Sequence, residues 1–220
     1  MRGGYAHRVA STSIGAITPP ETPLAIAAHR LVSSSCPPHV VAHCERSYRF
    51  AALLAHVDSI DVDAEVLYLG VIMHDLGLAP PFHSEARFDV GGANAARAWL
   101  LDAGMDVHRA DVVWDIVALH ASSAIAQHKS PETAVANSGI SIDVRGTGSD
   151  RLPIDAVRSI LDDFPRAGFP EAFHRTLVDE VRRNPDGVRL SWMEGIAVRH
   201  VDGYRAADFE AGLLGSAGFC

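Results

Sequence analysis

Four side chains in this sequence make a set that can bind a divalent metal: His43, the adjacent pair His74 and Asp75, and Asp143. Imidazole nitrogens and carboxylate oxygens form a donor set that suits zinc, iron(II), manganese or nickel, with geometry and supply deciding among them. An ion held by four protein ligands or fewer keeps room for a water. It lowers the pKa of that water toward neutrality and so provides a hydroxide nucleophile at physiological pH. The chemistry to expect is addition of water to a small electrophile, or its hydrolysis.

Such a set works only if the backbone brings it together. Neighbouring helical residues point about 100° apart, so His74 and Asp75 can share one ion only from the last turn of a helix. Gly77 is expected to stop that helix in the left-handed conformation. The run Leu67 to Met73 before the pair is almost wholly apolar. An unpaired carboxylate at the mouth of a buried helix is costly, and a cation removes the cost. His43 shares one helical face with Val40, Ser47, Phe50, Leu54 and Val57, which turns it inward. Asp143 sits in the apolar stretch from Gly139 to Val144. His120 is in register with Val113, Ile116 and Val117, so it must find a polar partner inside; spacing alone fits a satisfied core histidine as well as a site residue. Arg46, one turn after His43, either orients a ligand carboxylate or makes a surface salt bridge. His83, in a proline-bearing loop, either lines the entrance or is an idle exposed residue.

The elements around these residues read as helices. Residues 1–21 are rich in Gly, Ser and Thr and are expected to form a flexible or loosely docked arm. Thr22 as N-cap and Pro23 at the first helical position start the domain. A second helix follows Pro37 and Pro38 and runs to Val57, and a third starts from Asp61 or Asp63 with Glu65 in its first turn. Residues 78–91 read as a long loop. Further helices are expected at about 92–104, 107–121, 131–138, 153–163 and 170–184, with an irregular or extended tail over 187–201. The expected fold is all-α: one compact domain over 22–220, a bundle of about seven to nine helices.

Bulk composition excludes several functions. The formal charge is −8, and Lys129 is the one lysine, so no basic stripe is available for a nucleic-acid backbone. Cys36, Cys44 and Cys220 are odd in number and lack CxxC spacing, which argues against a disulfide framework or a thiolate metal site and for a reducing compartment. No apolar run reaches membrane-spanning length. The expectation is a cytoplasmic protein acting on a small molecule, with no nucleic-acid or membrane partner, and with a homo-oligomer left open.

The order His, then His-Asp, then a distant Asp in an all-helical chain resembles the HD superfamily of metal-dependent hydrolases. His43-Cys44-Glu45-Arg46 is similar to its H-x-x-R opening, and LGVIMHDLGL over 69–78 to its helix around the HD pair. A cyanamide hydratase-like branch is resembled by Arg87 to Arg97, by Val113 to His120 and by Gly139 to Gly146. The resemblance implies zinc, a catalytic role for Asp75 with the metal, and substrate contact or proton transfer by His120. It also implies hydration of a small nitrile such as cyanamide, to urea, by a metal-bound hydroxide. In two-metal members a further His stands four residues before the Gly-Ala pair; here that position is Phe88, with Asp89 beside it read as pointing outward. One metal is therefore expected. The alternative is an HD-type phosphohydrolase acting on a nucleotide or small phosphate ester, which would need a basic pocket. A metal-binding sensor without turnover is a third reading.

Overall fold

Thr22 accepts a hydrogen bond from the Ala25 N–H and, with Pro23 behind it, starts α1 (Pro23–Ser35) as the sequence leads one to expect. The structure is a computed structural model describing residues 17–215, so residues 1–16 of the expected arm lie outside it. The described end of that arm is docked. Ile17 is buried against Phe50, Leu54, Ile142 and Ile160, and the Tyr48 hydroxyl donates to the Thr18 carbonyl.

Two helices follow that carry the first site residues. Helix α2 (Pro38–Val57) is the longest, and α3 (Ala64–Ile72) is capped by Asp63, whose carboxylate accepts from the Glu65 and Val66 N–H groups. Arg109 holds the same carboxylate, and although burial pushes the pKa of Asp63 up, these bonds together keep it below its ordinary value. Then come α4 (Phe88–Asp102), α5 (Val107–Leu119), the single turn α6 (Ser123–Ala126) and α7 (Pro131–Arg145). Helices α8 (Ile154–Asp163), α9 (Phe169–Arg183), α10 (Glu194–His200) and α11 (Phe209–Leu214) complete the chain. Helix α2 lies along α7, α4 and α3 both pack on α5, and α9 covers the end of α2. No helix among the described residues is long and apolar enough to cross a membrane.

The fold is all-α, with eleven α-helices and no strand among the described residues. That exceeds the expected seven to nine because short helices form where turns were expected. The segment read as an irregular or extended tail contains α10, held by the buried Ile196 and Ala197. The long loop over 78–91 is shorter than expected. It folds as 3-10 turns at Leu76–Leu78 and Pro80–Phe82, and α4 already begins at Phe88. Glycines misled that reading, since Gly91 and Gly92 lie inside α4, where they serve close packing.

Helix α7 runs to Arg145, well past the expected end at 138, and stops at Gly146 in the left-handed conformation with φ 73°. It can lie close to α2 because of Gly139. A Cβ there would come within 2.6 Å of both Ala51 Cβ and the Ser47 carbonyl oxygen. Gly139→Ala should therefore push the two helices apart and destabilise the protein by about 1–3 kcal/mol. Urea unfolding measures this, and an unchanged midpoint would contradict the packing described.

Candidate metal centre

The site lies where the ends of α3 and α5 meet the middle of α2. His43 projects from the inner face of α2 and is wholly buried. Helix α3 ends at Ile72, so His74 and Asp75 lie in the turn just after it rather than in its last turn. Gly77 does not adopt the left-handed conformation expected of it. Its role is close approach: a Cβ would stand 1.9 Å from the Phe88 carbonyl oxygen, so only glycine lets the HD turn sit against the start of α4. His120 follows α5 as its C-cap and is also buried.

Three imidazoles are set in the same tautomer. His74 Nδ1 and His120 Nδ1 each lie 2.7 Å from a carbonyl oxygen three residues back, Val71 and Val117 respectively. A carbonyl only accepts, so both Nδ1 atoms carry the proton. His43 Nδ1 donates to Asp143 Oδ2 at 2.6 Å. Every Nε2 lone pair is thereby left to face inward.

The inward faces converge on Asp75. His43 Nε2 and His74 Nε2 are 3.1 Å apart, and they lie 3.7 and 3.3 Å from Asp75 Oδ2. His120 Nε2 lies 3.9 Å from Asp75 Oδ1. Both Asp75 oxygens are buried without a hydrogen-bond partner. Two facing lone pairs and an orphaned carboxylate repel one another unless a positive charge sits among them. His43, His74 and Asp75 thus fit a divalent cation, each offering one donor atom within 4.8 Å of the others.

Burial alone would raise the Asp75 pKa, yet the imidazoles of His74, His43 and His120 hold it far below the ordinary carboxylate range. Burial also opposes charge on His74, but the adjacent Asp75 outweighs it, and the His74 pKa is raised. His43 and His120 are pushed down, chiefly by burial.

Asp143 does not join this donor group, contrary to its expected role as fourth ligand. Carried by the extended α7, it stands behind His43. Its oxygens are taken by His43 Nδ1 and by a forked pair from Arg46, with Nε to Oδ1 at 2.6 Å and Nη2 to Oδ2 at 2.9 Å. Arg46 is fully buried, so of its two sequence readings the surface salt bridge is excluded. It orients a carboxylate that in turn fixes the tautomer of His43. Burial would raise the Asp143 pKa, but the hydrogen bonds from His43 and the Arg46 guanidinium outweigh it and keep it low.

Of the two readings of His83 the structure favours the exposed one, and the reading of Asp89 is corrected. His83 is exposed, reaches the Leu78 carbonyl, and does not line the cavity above Asp75. Asp89 does not point outward: it is fully buried at the start of α4, where Arg87 Nε and the Val90 N–H donate to it. Phe88 fills the position in question with a ring 5.6 Å from that of His120. The cavity is about 190 Å³, and its wall also includes Ser141, Arg145, Phe173 and Trp192. Sequence reasoning missed these four. Trp192 lay in a supposed tail and Phe173 on an ordinary amphipathic helix, and neither carries a local signal of a site.

The sequence pattern of the HD domain family matches residues 40–163, more than half of the chain. The chain belongs to the HD domain family. The matched span contains His43, His74, Asp75, His120 and Asp143. Comparison with curated proteins finds no match.

Zinc added to metal-free protein should raise its melting temperature. At a hundredfold excess over Kd the gain is about 2.7 kcal/mol, roughly 5–10 °C. Asp75→Asn should abolish the rise, yet should not destabilise the metal-free protein, because it removes an unpaired buried charge and supplies an amide N–H to the facing lone pairs. Differential scanning calorimetry of both forms checks this; an equal zinc response in the two would contradict the site.

Proposed function

We propose that this HD-family protein hydrates a small nitrile such as cyanamide, giving urea, with one divalent metal, zinc by preference, held by His43, His74 and Asp75. The observation that carries the reading is the cavity above these donors. At about 190 Å³ it is smaller than the roughly 300–1,000 Å³ typical of sites for drug-sized ligands. Its walls are largely apolar and aromatic, with Phe88, Ile140, Phe173, Leu177 and Trp192 contributing, and Arg145 at its exposed edge is the sole Lys or Arg among the described residues that line it. A small uncharged molecule fits such a space.

A divalent metal supplies Lewis acidity and makes water easier to deprotonate. The remaining work falls to the chain. His120, neutral because burial lowers its pKa and because Nδ1 donates to Val117, offers a basic Nε2 toward the reacting atoms. It accepts a proton from the attacking water and returns one to the nitrile nitrogen. The carbon gains the water oxygen, the nitrogen gains the hydrogens, and no group leaves. Asp143, clamped by Arg46, keeps His43 in the tautomer that presents Nε2. Phe88 and Phe173 exclude bulk water, and among the described residues no second donor group stands beside the first. His120 and Asp75 are the catalytic residues of this reading.

Arg145 on the rim favours a second reading, hydrolysis of a small phosphate ester, in which the guanidinium would receive the phosphate. Zinc-loaded protein incubated with cyanamide, simple nitriles and a panel of phosphomonoesters separates the two. Urea from cyanamide is expected, with His120→Ala lowering kcat by about 10²–10⁴-fold. Phosphate release with cyanamide inert would contradict the nitrile reading.

A further inference from the structure

We propose that Trp192 is the size gate of the metal pocket and restricts what reaches Asp75 and His120 to small, slender molecules. The inference rests on the metal-site reading above. The residues lining the cavity divide by exposure: His43, His74, Asp75, Phe88 and His120 are buried and form its floor, whereas Trp192, 43% exposed, stands with Val144 and Arg145 at its open edge and is the one aromatic ring there. A side chain that both lines a cavity and faces solvent stands at its mouth.

The backbone presents Trp192 there deliberately. Val188 and Met193 on either side are fully buried and anchor the segment. Between them Leu190 takes φ 58°, the left-handed region that a branched side chain rarely adopts, while its own side chain is 74% exposed. No burial of Leu190 compensates that strain. Ser191 Oγ donates to the Val188 carbonyl and accepts from the Met193 N–H, closing the turn. The turn lifts Trp192 out of the core and lays its ring edge-on to Phe88, with centroids 6.4 Å apart. Phe88 meets His120 in the same manner at 5.6 Å. An aromatic wall therefore runs from solvent to the proposed proton-transfer residue.

The two rings are also tied together. Asn184 Nδ2, at the start of the Trp192 segment, lies within 3.1–3.5 Å of the carbonyl oxygens of Ser84, Glu85 and Ala86, just before Phe88. These bonds tether the chain leaving α9 to the chain entering α4, and the Phe88–Trp192 ring contact joins the same two segments at the mouth. Truncating the indole removes one side of it without touching a residue that holds metal or moves a proton.

The test is ligand binding rather than turnover. Imidazole and 4-phenylimidazole are titrated calorimetrically into the zinc-loaded full chain, into Trp192→Ala and into Trp192→Phe. The wild type is expected to bind imidazole and to discriminate against 4-phenylimidazole by about tenfold or more; Trp192→Ala should erase that ratio with little change toward imidazole, and Trp192→Phe should fall between. The same ratio in all three zinc-loaded proteins would overturn the gate and leave the metal site standing. Failure of the wild type to take up zinc would overturn both.

Discussion

A buried carboxylate with no donor to satisfy it is the constraint on which the rest of this structure depends. Asp75 is 1% exposed, and the nearest groups are three imidazole nitrogens whose protons are committed elsewhere. Each imidazole is turned by an oxygen on its far side: Val71, Val117 and, for His43, the Arg46-clamped Asp143. The fold therefore builds a pocket of negative potential lined with lone pairs, an arrangement that a bound cation completes.

The helices serve that pocket at close tolerance. Gly77 lets the HD turn abut the start of α4, which brings Phe88 and the buried Asp89 beside His120. Gly139 lets α7 lie against α2, which brings Asp143 behind His43. Both contacts involve backbone atoms at distances that leave no room for a methyl group. The site is in this sense a product of helix packing, and its side chains are held by elements rather than by flexible loops.

Much of this was legible in the sequence because it rests on local rules. Thr22-Pro23, Asp63 and Ser130-Pro131 mark helix starts by capping chemistry that acts within one turn, and each does so in the structure. His43 was legible because apolar periodicity fixes which face of α2 turns inward, and His74 and Asp75 because an apolar run leads straight into the pair. What was not legible depends on contacts between distant segments. Gly77 and Gly91-Gly92 suggest stops and loops in a sequence, whereas here they admit neighbouring backbone. Asp143 has the residue type and apolar setting of a ligand, but whether it faces the ion or the back of His43 is decided by Arg46, ninety-seven positions away. Trp192 reaches the pocket only through an unfavourable turn at Leu190, which no propensity predicts.

The central claim is that His43, His74 and Asp75 form one closed donor group for a single divalent ion. Elemental analysis of the purified full-length protein after zinc loading and removal of loosely bound metal tests it most directly. The account predicts one zinc per chain for the wild type and none for Asp75→Asn; no retained zinc in the wild type, or two per chain, would contradict it.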